Sequence, residues 1–428
     1  MCSATSLIAA PFLTMLRMSP SLPLFSLPSL STRISSDPRM SCFSRTMMDD
    51  KARSSLGCTE GVCVLRMSDE LWDVVVIGSG IIGSCAAFHS VKNGLRTLKI
   101  DQASWIPIVK DTYEQIAELE KARGEKLWIN TGLLWMGSEQ YVNKLGKTIG
   151  DAGCTHEILD HEQINKRFPL FTYDQQWKGL YDPKGGVILA DKWLWAFHNE
   201  FLVNKGSYID WIKITKIEQG DIITLHSKYS EPIRCKKLIV AAGSWVNELV
   251  PSLNVKSKNV ALSVCYWKPK EEKNMPLILP DKMPVFIIDD QFDGGRGYFG
   301  IPTIDYPGAI KFGEHGGDLF SSGEEPENHD KIFVERPRQH LEKFWPLMDS
   351  EEPTRVDHCK YTMSPDAAYL IDYLGNNKNI VLCSMLSGTG FKCAPALGRI
   401  VVDMVQSKEP PFDISIFRAS RFRDAFAQ

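Results

Sequence analysis

The stretch DVVVIGSGIIGSCAAFHSVKNGLRTLKID, Asp73–Asp101, decides the fold. Val74, Val75, Val76 and Ile77 form a short β-branched run, the pattern of a strand buried on both faces. Gly78, Gly80 and Gly83 follow at once as G-x-G-x-x-G. The apolar residues from Ile81 to Val91 continue at helix length and stop at Asn93-Gly94, a C-cap signal. Leu95–Ile100 reads as a second strand, closed by Asp101. The first glycine permits the tight turn. The second lets a pyrophosphate approach the backbone, and the third lets helix pack on strand. The helix N-terminus then offers free N–H groups and a positive dipole end to phosphates. An acid about 20 residues beyond the glycines holds ribose hydroxyls, and Asp101 stands in that place. Strand, glycines, helix, strand and acid in this order predict a bound dinucleotide. A glycine-rich βα turn without ligand is the competing reading, and it leaves Asp101 unexplained.

The bulk composition narrows the choices. A chain of 428 residues suits two domains sharing a large core. The net charge of −3 gives no sign of a nucleic-acid partner. No apolar run reaches the ~18 residues of a spanning helix, so no membrane partner is expected. The 11 cysteines lie singly, without CxxC pairs, metal-ligand spacing or a secreted framework. A reducing or neutral compartment fits them, and no metal is expected.

Residues 1–70 differ from the rest and are assigned to a disordered leader or targeting segment. Met1–Met48 is rich in Ser, Pro, Leu and Met, and sets Arg17, Arg33, Arg39 and Arg45 against one acid, Asp37. That is the composition of a transit peptide. A disordered leader, or sequence upstream of a later start at Met67, reads equally well. A secretory signal fits less well, because Pro11 interrupts the first apolar run and no basic region precedes it.

Beyond Asp101, Val109–Arg123 has apolar residues at helical spacing and ends at Gly124. Leu127–Gly137 is strand-like, and Glu139–Ala152 and Asp191–Asn204 read as helices. Strands are expected in Ile212–Ser227, in Arg234–Ala242, over Val260–Pro269 and over Met283–Ile288. Short strands at Gly297–Pro302 and Gly308–Gly313 flank a Pro-containing loop. Ser321–Asn328 is a surface loop by its polar residues, Gly323 and Pro326. Asp330–Trp345 is a helix candidate and Ile380–Cys383 a final buried strand. Lys237–Trp245, KLIVAAGSW, runs a buried strand into a small-residue turn, where Gly243 can let the strand end touch a cofactor. Gly388–Gly390 is a glycine turn before a helix through Val405. Elements near both ends of the chain therefore belong to one nucleotide domain, with a strand-rich domain inserted.

These pieces carry a resemblance. Asp73–Asp101, Lys237–Trp245, Lys311–His315 (KFGEH), Cys359–Asp366 (CKYTMSPD) and Ser387–Gly398 (SGTGFKCAPALG) resemble the flavin-dependent amine oxidases of the monomeric sarcosine oxidase and pipecolate oxidase family. The resemblance spans about Leu71 to Phe417. It implies an α/β fold: a Rossmann-like FAD-binding domain from residues 71–102, 155–250 and 355–417, and a mixed-sheet substrate domain from 103–154 and 251–354. It implies FAD held by Gly78, Gly80, Gly83, Asp101, Gly243, Gly388, Gly390 and Lys392, with a thioether from Cys359. It places Lys311 beside the flavin ring, where a cation stabilises the charge that develops as dioxygen is reduced. His315 faces the substrate, Lys392 meets a substrate carboxylate, and Tyr361 walls the site. The implied partners are a small secondary amino acid and O2, on a monomeric enzyme in the peroxisome. The implied reaction takes sarcosine or L-pipecolate to an imine, with hydrogen peroxide as the second product. A flavin amine dehydrogenase with another acceptor and a catalytically impaired relative are the alternatives.

Each of these side chains also has an ordinary reading from the residues alone. Cys359 can be a buried thiol, and Lys311 a solvated strand lysine. His315 can be a loop histidine, Lys392 a surface lysine at a helix start, and Tyr361 core filling. Three features depart from the family pattern. The loop of about thirty residues that follows the ribose acid, with its Gly-Ser-Ser-His-Gly-like run and arginines, is absent, because Asp101-Gln102 passes almost directly to Trp105. Phe299 stands where members often place a tyrosine. The chain ends Ala427-Gln428 rather than on a Ser-Lys-Leu address, which leaves mitochondrial and cytosolic locations open.

Overall fold

The computed structural model describes residues 56–59, 62–65, 71–78, 80–91, 105–209, 212–228, 230–292, 294–321, 330–422 and 424–426. Contacts divide the chain into two units, the larger holding Val76–Ser207 and Leu238–Gln428. The smaller holds Tyr208–Lys237 and the described residues up to Val75. Within it, Leu56–Thr59 and Val62–Leu65 pair as an antiparallel hairpin, inside the stretch assigned to a leader. Ile214–Glu218 and Ile223–Ser227 are also antiparallel, and Lys236 reaches Asp73 at 2.6 Å on the surface. The second strand and acid expected at Leu95–Asp101, and the cap at Asn93-Gly94, lie outside the described residues.

In the larger unit the glycine motif takes the expected form. The first strand, Leu71–Ile77, ends at Gly78, and the helix Ile81–Val91 follows. Gly78 has φ +110°, where a side chain is strained. A Cβ at Gly83 would overlap the Gly78 carbonyl, so helix and strand approach this closely only with glycine there. Val76 and Ile77 are half-buried rather than buried. Their branching selects the strand, and it does not require burial on both faces. Ile77 O accepts a hydrogen bond from Ala241 N at 2.8 Å. Leu238, Ile239 and Val240 pair in parallel with Ile380, Val381 and Leu382, and Leu370–Leu374 flanks that strand antiparallel.

The helix Ala394–Val405 lies against Ile81–Val91. A Cβ at Gly398 would stand 2.6 Å from the Cys85 Cβ, so a second glycine sets this spacing. Arg399 of the same helix pairs with Asp111 of the helix Trp105–Arg123 at 2.6 Å.

The second sheet of the larger unit has nine strands. Their order is Asp318–Phe320, Lys258–Trp267, Ala309–Glu314, Arg296–Tyr306, Val285–Asp290, Leu133–Ser138, Trp177–Asp182 and Glu157–Asp160. Arg355–Met363 pairs with Lys258–Trp267 along its other side. One face buries Phe286, Ile288, Tyr298, Phe312 and Trp267 together with Leu341, Phe344 and Trp345 from the helix Asp330–Phe344 and its end. On the opposite face, Leu133, Trp135, Val285 and Ile301 pack against Val142, Leu145 and Ile149 of the helix Glu139–Asp151. Ser138 caps that helix, its hydroxyl accepting from Tyr141 N.

Several elements differ from the expectation. The short strands around Gly297–Pro302 and Gly308–Gly313 extend to Arg296–Tyr306 and Ala309–Glu314. The Pro-containing loop between them is the tight turn at Pro307-Gly308, with Gly308 at φ +80°. Glu157–Asp160 and Trp177–Asp182 form strands in a region too short and polar to show period-two alternation clearly. Arg355–Met363 is a strand of nine residues whose charged positions break the apolar signal. Residues 322–328 of the expected surface loop are not described.

Candidate active site

Strand register brings the expected residues together. Lys311 sits opposite Tyr266, and Cys359 opposite Leu262, on the two sides of Lys258–Trp267. Tyr266 and Leu262 are four residues apart, so Lys311 and Cys359 share one face of the sheet. By the same alternation His315, Tyr361 and Asp357 lie on that face. Phe299, opposite Gly313, lies there as well. It is half-buried beside the glycine that separates Lys311 from His315.

The His315 and Tyr361 rings stack at 5.7 Å with an 11° interplanar angle. The turn Ser387–Gly390 closes on them. Gly388, at φ +75°, leaves room where a Cβ would sit 3.4 Å from His315 Cε1 and 3.6 Å from Tyr361 Cδ2. Ser387 N donates to Thr362 O at 2.9 Å, and Ser364 N to Ser387 Oγ at 3.2 Å. These bonds tie the CKYTMSPD segment to the SGTGFK turn. Gly390 caps a 3-10 turn, Phe391–Cys393, where a Cβ would overlap the Leu386 side chain.

Burial removes the ordinary, solvated readings of the two lysines. Lys311 is 5% exposed, so it is not a solvated strand lysine. Its ammonium pairs with Asp305 at 2.5 Å. Lys392 is also 5% exposed, which removes the surface reading, and burial lowers its pKa to about 8. The His315 ring is exposed, yet desolvation by surrounding protein lowers its pKa, with the Lys392 charge adding to the effect. Burial pushes the Cys359 thiol above its ordinary range. The Lys311 charge opposes that shift, and Asp357 and Asp305 reinforce it. Burial pushes Tyr361 up to about 12, so it stays a neutral phenol.

The glycine motif suits a dinucleotide. Gly80 is exposed and nothing lies within 4 Å of its would-be Cβ, directly before the helix Ile81–Val91. Ser84 N makes a helical bond to Gly80 O at 2.9 Å. The amides before Ser84 precede that first helical bond and have no intrahelical acceptor. Gly243 has φ +54° and open space at its Cβ, and its carbonyl accepts from Ser384 Oγ at 3.0 Å. Asp101 lies outside the described residues. The sequence reading missed Asp305, Tyr266 and Asp357. Period-two alternation from Cys359 signals Asp357, but Tyr266 and Asp305 lie on other strands than Lys311 and need the folded pairing.

Comparison with known proteins agrees with this geometry. The profile of the family "DAO: FAD dependent oxidoreductase" matches residues 99–404. A putative sarcosine oxidase of Caenorhabditis elegans is 36% identical over 381 residues, covering 82% of this chain and 98% of the relative. The peroxisomal sarcosine oxidase of Mus musculus is 28% identical, covering 82% and 97%. NikD, an amino acid oxidase of nikkomycin biosynthesis, superposes in its crystal structure with a TM-score of 0.68 at 17% identity, covering 82% and 97%. The chain belongs to the FAD-dependent oxidoreductases of the DAO family. Within it, the protein is an FAD-dependent amine oxidoreductase of the sarcosine oxidase type.

The open space at Gly80 yields a prediction. Gly80→Val meets no protein atom, so thermal stability of the flavin-free chain should stay within about 0.5 kcal/mol of the parent. The side chain fills the pyrophosphate approach, so the protein should purify colourless. Stoichiometric yellow flavin in this variant would refute the placement of the cofactor.

Proposed function

We propose that the protein oxidises a small secondary amino acid, sarcosine or L-pipecolate, with dioxygen as acceptor. The products are an imine, hydrolysed in water, and hydrogen peroxide. The observation that carries this reading is the buried, ion-paired Lys311 on the same sheet face as His315, Tyr361 and Cys359. The name of the worm relative supports the choice of sarcosine.

Bound FAD supplies the acceptor of the two electrons taken from the amine carbon. Gly78, Gly80, Gly83 and Gly243 would hold its phosphates and nucleotide, with Asp101 on the ribose. Gly388 and Gly390 shape the turn that would border its ring. Cys359 would anchor it covalently. Lys392 receives the substrate carboxylate, a charge-assisted contact. Desolvation and the Lys392 charge both lower the His315 pKa, which favours the neutral ring. It therefore offers the amine one ring nitrogen as a hydrogen-bond acceptor. Tyr361 stacks behind it as a wall. Lys311 holds a positive charge where dioxygen takes up electrons.

Three tests follow. Acid precipitation should leave flavin colour with the parent protein, while Cys359→Ser should release it to the supernatant. Colour that washes from the parent would remove the tether. Under air, amine consumption should match peroxide release. Lys311→Met should slow flavin reoxidation by at least about a hundredfold while flavin reduction changes far less. Equal slowing of both half-reactions would reject the oxygen role. The third test uses pH. Lys392 must be a cation to hold a carboxylate, and its pKa is depressed to about 8. The cation is present below that value and is lost above it. The ratio of kcat/KM for sarcosine to that for a carboxylate-free methylamine should therefore fall as pH rises through about 8. Lys392→Met should flatten that ratio and raise the sarcosine KM roughly tenfold or more, the size of one charge-assisted hydrogen bond. An unchanged ratio would place the carboxylate elsewhere.

A further inference from the structure

We propose that Asp305 is the positioning residue of Lys311, holding its ammonium charged and aimed along the site-bearing face, and that Tyr266 fixes the Asp305 carboxylate in turn. The functional consequence rests on the oxygen role proposed above for Lys311; the ion pair itself does not.

The geometry is local and closed. Asp305 lies near the end of the strand Arg296–Tyr306, and the turn at Pro307-Gly308 returns the chain along Ala309–Glu314 to Lys311. Lys311 Nζ stands 2.5 Å from Asp305 Oδ2, with side-chain exposures of 5% and 3%. Tyr266 Oη donates to the same carboxylate oxygen at 3.3 Å. Tyr266 is also the register partner of Lys311, and its ring centroid lies 5.4 Å from Nζ. One oxygen is thereby held by two groups from two strands. The second, Asp305 Oδ1, is buried without a hydrogen-bond partner.

A buried lysine without a carboxylate sheds its proton more easily. Lys392 illustrates this in the same site, since burial lowers it to about 8. Lys311 is equally buried and has Asp305 beside it. Among the described residues, the titratable groups around the pair include Asp357, Cys359, Tyr266 and Tyr306, with Arg355 beside Asp357. Asp357 is bonded by Arg355 Nε at 2.6 Å. Cys359, Tyr266 and Tyr306 all have pKa values raised first by burial, so they keep their protons near neutral pH. Lys392, lowered to about 8, is common to the parent and Asp305→Asn, so the difference between the two across about pH 6.5 to about pH 9 isolates the Asp305–Lys311 pair.

The test compares the parent, Asp305→Asn, Tyr266→Phe and Asp305→Asn/Lys311→Met as full chains. The first readout is the melting temperature against pH. In Asp305→Asn the folded state gives up the Lys311 proton earlier than the unfolded chain does, so stability rises with pH. The deficit against the parent should be about twofold larger near pH 6.5 than near pH 9. Tyr266→Phe should move in the same direction by less. The double variant, which removes the stranded charge, should recover stability over Asp305→Asn near pH 6.5. A deficit equal at both pH values, or no recovery in the double variant, overturns the proposal. If Asp305→Asn yields no soluble protein, a soluble double variant supports the coupling and an insoluble one overturns it.

The second readout is flavin reoxidation by dioxygen. In Asp305→Asn it should slow by about tenfold from pH 6.5 to pH 9, while in the parent it stays within about twofold. A melting curve that behaves as expected alongside flat reoxidation would keep the ion pair and remove Lys311 from the oxygen step. That outcome overturns the function proposed for Lys311 and leaves the coupling standing.

Discussion

Everything at the site depends on the pairing of one strand, Lys258–Trp267, with two others. It meets Ala309–Glu314 on one side and Arg355–Met363 on the other. Side chains alternate faces with period two, so a slip of one residue in either pairing would turn the site away. Lys311 would then point into the aromatic core beneath Asp330–Phe344, or Cys359 away from Lys311. Burial of Phe312 and Trp267 on the far face holds the register. The apolar core is thus what aims the polar residues.

A second constraint is close approach at glycine. Gly83 and Gly398 let the helix Ile81–Val91 pack against its own strand and against Ala394–Val405. Gly80 and Gly243 do the opposite, leaving open space. Gly388 belongs to both kinds, since it takes a left-handed backbone conformation and also leaves ordinary contact room beside His315 and Tyr361. The same residue type therefore packs the scaffold in one place and opens it to a ligand in another.

Much of this was legible in the sequence where chemistry forces a local pattern. The Gly78–Gly83 spacing, the helix at Glu139, and the buried strands around Ile239 and Val381 follow from periodicity and turn residues. Family motifs located Lys311, His315, Cys359, Tyr361 and Lys392, and the structure gathers the described ones on neighbouring elements. The Arg355–Met363 strand was hidden, because Asp357, His358 and Lys360 interrupt the apolar rhythm and its pairing partner lies about ninety residues earlier. Asp305 was hidden for a related reason. In the sequence it is an acid before a Pro-Gly turn, and only the folded hairpin, whose register shifts between Ile301 and Tyr306, brings it to a lysine six residues on. Long-range register is the information that composition and short windows do not carry.

Arg355–Met363 also has a consequence outside the chemistry. Among the described residues its ladder partner is one strand, and its other margin carries a single bridge, from Met363 to Leu386. Such margins invite unwanted sheet extension between molecules. Here His358 and Lys360 are exposed on either side of Cys359, and Arg355 stands at the strand's start. Bulky and charged groups at those positions discourage a second strand from docking. The segment that presents the cysteine inward thus carries its own protection against aggregation outward, and period-two alternation lets a single strand do both.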